Sequence, residues 1–73
     1  MLIINEHTAS KLIQAYHTKW ESMTPSQSEV MYKVAGICEN ACNVASYLGT
    51  EPQIIIPSHL VEVMSVLADE GKL

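Results

Sequence analysis

Apolar residues recur at steps of three and four through most of this chain, in three runs separated by short polar or proline-bearing links. In the first run, Ala9, Leu12, Ile13, Tyr16, Trp20 and Met23 fill an arc of roughly 100° on a helical wheel. That spacing predicts an amphipathic helix over residues 6–22 with one buried stripe, and Asn5 stands where an N-cap is needed. The second run is longer. Val30, Met31, Val34, Ile37, Cys38, Ala41, Cys42, Ala45 and Leu48 share one side of a helix over residues 25–48. Its start is sharply marked: Thr24 can cap, Pro25 suits the first helical position, and Gln27 can reach back to close a capping box. Gly49 follows as a stop.

The third run holds Leu60, Val61, Val63, Met64, Leu67 and Ala68 on one face. It predicts a helix from a Ser58 cap to about Glu70, with Gly71 ending it. Val66 falls on the opposite side, near His59 and Glu62. Two stretches break the helical pattern. Residues 1–4 and Gln53, Ile54, Ile55 and Ile56 are rich in β-branched residues, and Pro57 holds Ile56 extended. They can pair as a two-stranded ribbon, which would be marginal without helices packed on it. The fold class is therefore mainly α. It is a small three-helix bundle with a long central helix, with a minor ribbon from the N-terminal arm and residues 53–56. Residues 1–73 form one domain, and the helices are antiparallel neighbours.

Composition changes this picture in one respect. Hydrophobic residues make up 48% of the chain and charged residues only 16%, where globular domains carry about 25% charged. A chain of 73 residues has a marginal core and much surface to cover. Some uncharged surface is expected to be covered by another chain. The net charge of −4 and the scatter of Lys11, Lys19, Lys33 and Lys72, with no arginine, argue against nucleic-acid binding. The apolar runs are too short to cross a membrane. No basic patch precedes an apolar stretch at the N-terminus, and two cysteines without a secretory signal point to a reducing cytoplasm.

Candidate chemistry is sparse. Cys38 and Cys42 lie one turn apart and could supply half of a zinc or copper site, with His7, His17 or His59 completing it. Both cysteines also fall in or beside the apolar arc, where a free thiol packs as a small hydrophobe, and packing is the favoured reading. His17 can pair with Glu21 one turn on. Nothing in the sequence couples a histidine to a nucleophile, and there is no glycine-rich phosphate loop; no catalysis and no cofactor are expected. Three helices of this size leave little room for a concave site.

The informative face is the other side of the central helix. Tyr32, Gly36, Asn40, Asn43 and Tyr47, with Glu39, form a stripe at helical spacing, and the helix carries only Glu29, Lys33 and Glu39 as charges. A solvated face usually holds more charge. Interfaces favour aromatics and are poor in Lys and Glu. Gly36 costs up to about 1 kcal/mol in a helix interior, which close approach of another backbone would offset. Cover by the arm or residues 54–56 of the same chain, or plain exposure, are the alternatives. The expected function is binding of a protein partner by this surface, without chemistry, in a chain that is itself a homo-oligomer. An inhibitor of host or phage machinery is one form of such a protein and an assembly subunit another. A metal or redox sensor built on Cys38 and Cys42 is the alternative.

Overall fold

The computed structural model describes residues 1–73. Strand β1 (Leu2–Ile4) leads into helix α1 (Glu6–Lys19) and a 3₁₀ turn (Trp20–Ser22). Helix α2 (Pro25–Leu48), strand β2 (Ile54–Ile56) and helix α3 (Ser58–Asp69) complete the chain. Three helices and a minor ribbon are what the periodicity predicts.

The local signals act where they were expected. Asn5 Oδ1 accepts from the Thr8 amide at 2.9 Å. Thr24 and Gln27 form a reciprocal capping box: the Gln27 amide donates to Thr24 Oγ1 at 3.2 Å, and the Thr24 amide donates to Gln27 Oε1 at 3.0 Å. Gly49 closes α2 in the left-handed region, φ 71°, a conformation open to glycine at little cost. Gln27 also ties the chain's end to this corner. Its Nε2 donates to Glu70 at 2.9 Å, and Lys72 Nζ donates to its Oε1 at 3.1 Å. The end of α3 thus meets the start of α2, and α3 runs antiparallel to it.

The ribbon is antiparallel and in register, with Leu2 opposite Ile56, Ile3 opposite Ile55 and Ile4 opposite Ile54. Alternation of faces comes from strand geometry. Ile4, Ile54 and Ile56 are buried, while Ile3 and Ile55 point outward. The buried face joins Ala9 and Met23 near the two ends of the first helical segment, Met31, Val34 and Cys38 of α2, and Leu60, Met64 and Leu67 of α3 in one core. The two strands that would be marginal alone are held by this cluster.

Five expectations are corrected. Trp20 is not in the α1 stripe but 49% exposed. Lys19 leaves helical dihedrals (φ −123°, ψ 5°) and starts a 3₁₀ turn, so the wheel loses its phase for the side chains beyond it. The His17–Glu21 pair does not form for the same reason, since α1 ends between them. Ser58 is the first residue of α3 rather than its cap; Pro57 holds the cap position and Ser58 Oγ accepts from the N-terminal amine at 2.6 Å. Leu48 is 65% exposed and Ala68 is exposed rather than core.

Leu48 is exposed because α2 outreaches its neighbours. A helix of 24 residues is about 36 Å long, and the molecule measures 36 × 23 × 17 Å. The accessible surface, 4849 Å², exceeds the roughly 4,500 Å² expected for a compact monomer of this mass. No helix is long and apolar enough to cross a membrane.

The ribbon's role in the core is testable by urea denaturation. Ile56→Ala should lower the unfolding free energy by about 2–4 kcal/mol. Ile55→Ala, one position along on the outward face, should cost less than about 1 kcal/mol. Equal effects would remove the ribbon from the core.

Candidate functional site

The stripe named from sequence stays open to solvent. Tyr32 is 68% exposed and Tyr47 91%. Asn40 and Asn43 are exposed, and Gly36 is half-buried. The arm and residues 54–56, which could have covered it, pair with each other instead.

Around Gly36 the stripe is the floor of a groove of about 560 Å³. Tyr16 and His17 of α1 form part of its lining, as do Pro57, His59 and Leu60 at the start of α3. From α2, Tyr32, Lys33, Glu39 and Asn40 line it together with the apolar Ala35 and Ile37. Tyr16 holds Tyr32 edge-on, with ring centroids 6.3 Å apart, and its own ring tilts against His17 at 5.6 Å. Lys33 reaches back to Glu29 at 3.6 Å on the exposed surface, a pair worth little in stability. Of the chain's four lysines and three histidines the groove collects Lys33, His17 and His59. Of its eight acids it takes only Glu39. The groove is therefore a tyrosine-walled concavity whose one lysine and one carboxylate balance in charge.

Gly36 explains part of the space. A Cβ built there meets no atom within 4 Å. No close contact inside the chain requires glycine, so its helix-interior cost goes uncompensated within the monomer.

Toward the C-terminal end of α2 the groove passes into a second depression of about 390 Å³, with Asn40 shared by both. Val44 and Leu48 flank it together with Pro52 of the connector. With Tyr47 they form an uncovered apolar tip on α2. Thus Tyr32, Gly36 and Asn40 are brought together in the groove, while Asn43 and Tyr47 continue the same face beyond it. Sequence reasoning missed the groove's walls, since His17, His59 and Tyr16 meet α2 only through the tertiary fold. It left little room for a concavity, although a glycine flanked one turn away on each side by Tyr32 and Asn40 was the available signal.

The cysteines sit elsewhere. Cys38 is fully buried in the core and Cys42 is half-buried at its margin, both as free thiols. Burial, then the neighbouring Cys42 and Glu39, push the Cys38 thiol from 9.0 up to about 11. Nowhere do three His, Cys, Asp or Glu side chains converge as a metal-binding group, so the pair offers two ligands, one of them held protonated. No protein-family model, curated protein or solved structure matches the chain.

Gly36 and Cys38 each give a measurable expectation. Gly36→Ala should raise the unfolding free energy at high dilution by about 0.5–1 kcal/mol, because it removes a helix-interior glycine without a clash. A loss of stability would mean that the groove floor is too tight for a methyl group. At pH 8 Cys38 should alkylate on the order of a hundredfold more slowly in the native than in the denatured chain, in line with its thiolate fraction. The folded state favours the protonated thiol, so the stability this gives is complete below pH 9.0 and is lost as the pH rises through about 11. Native-state alkylation at the denatured rate would contradict this placement.

Proposed function

We propose that this chain is an interaction protein that works by occupying a surface of a protein partner, with no chemistry of its own, and that it self-associates. The observation that carries the reading is the uncovered surface of α2. Tyr32, Val44, Tyr47 and Leu48 are more than half exposed along one helix that has only three charges. Large tyrosine and aliphatic area left in water with little charge around it is costly for an isolated monomer and suits a contact surface. The groove beside it adds shape, which distinguishes a specific partner from general stickiness. Blocking a host or phage enzyme and serving as an assembly subunit are both uses of such a surface.

The metal or redox alternative draws no support from the buried, protonated Cys38. A reactive cysteine needs thiolate and access.

The reading is tested with a Tyr32→Glu/Tyr47→Glu variant, checked for native helicity by circular dichroism. The wild-type chain should scatter light as more than one copy. The variant should lose both that mass and any partner captured from the native host. Unchanged mass and unchanged partners in a folded variant would sink the proposal.

A further inference from the structure

The two ends of the α2 face are complementary to each other. Gly36 leaves a vacant floor in a tyrosine-walled groove, and Tyr47, 91% exposed, stands free of the rest of the chain. Eleven residues separate them on one helix. That puts them about 16 Å apart along the axis and within about 20° of each other around it. A hole and a knob on the same face of the same rod cannot meet within one chain. Two copies laid antiparallel bring them together twice.

Building on the proposed self-association, we infer that the second copy docks by a two-fold antiparallel pairing of α2, each Tyr47 entering the other's groove at Gly36. The two-fold axis passes at the height of Ala41 and Cys42, where each Asn40 faces the other copy's Asn43. Four carboxamides, able to donate and accept with one another, occupy the centre without a charge to desolvate. The same register brings Glu51, just past the end of α2 and exposed, toward the other copy's Lys33. Glu51 of each chain thus offers an opposite charge to Lys33 of its neighbour. Beyond Ala45 no residue of α2 is buried, so the turn that carries Tyr47 is free to reach the other copy's groove. The contact is isologous and closes on itself, so it makes dimers and not filaments.

The arrangement is tested by sedimentation velocity on the full chain over a concentration series. Wild type should be a dimer. Tyr47→Ala, at a side chain the fold does not use, and Gly36→Leu, which fills the groove floor, should each raise the dimer dissociation constant on the order of a hundredfold, because each contact is lost twice. Mixing the two variants should restore dimers. The mixed pair keeps one native contact and matches a shortened side chain to a filled groove at the other. A wild-type dimer that neither substitution weakens overturns this pairing and leaves an interaction face elsewhere. Weakening without restoration in the mixture overturns the reciprocal register. A wild-type monomer overturns the dimer, and the proposed function is then decided by partner capture alone.

Discussion

Everything in this fold leans on one apolar seam along α2, the line through Met31, Val34 and Cys38. α1, α3 and the buried face of the ribbon all meet there, and the core includes no charged or polar side chain. The seam does not run the length of the helix. Beyond Ala45 no residue of α2 is buried, because none of the other elements packs against its last turn. The core and the uncovered tip are consequences of the same allocation of chain. A helix long enough to organise three neighbours is also longer than those neighbours can cover.

Gly36 shows where the cost of that arrangement falls. Most helix-interior positions favour alanine over glycine. Here the fold leaves room for alanine and holds glycine, so the choice is not dictated by packing within the chain. The surrounding chemistry points the same way. Tyrosine rings are fixed edge-on to one another, and two of the chain's three histidines line the same space. Stability local to the helix has been exchanged for a shaped, polar-rimmed space.

The parts of the structure that were legible in the sequence are those set by neighbours a few residues away. The Thr24–Gln27 box, the Gly49 stop and the Asn5 cap depend on backbone groups within one turn, and they stand as read. The β-branched ribbon was legible too, because two three-residue runs had only each other to pair with. Trp20 and Leu48 were misplaced because a helical wheel assumes one unbroken twist and gives direction, not cover. The wheel could not show that Lys19 ends the regular twist, nor that nothing lies opposite Leu48. The groove was the least legible feature, since its walls come from three elements separated in sequence. The polar face of α2 was readable as a stripe; its depth required the positions of Tyr16, His17 and His59.

The overhang of α2 carries one more consequence. Residues there contribute little to the buried core, so substitutions at Val44, Tyr47 or Leu48 are nearly silent to folding. A lineage carrying this chain could rewrite the surface of the tip without passing through unfolded intermediates, while the seam from Met31 to Cys38 stays under constant selection for packing. Along Met31 to Cys38 the helix is held by packing on its inner side, while its last turn is free to change at its own pace.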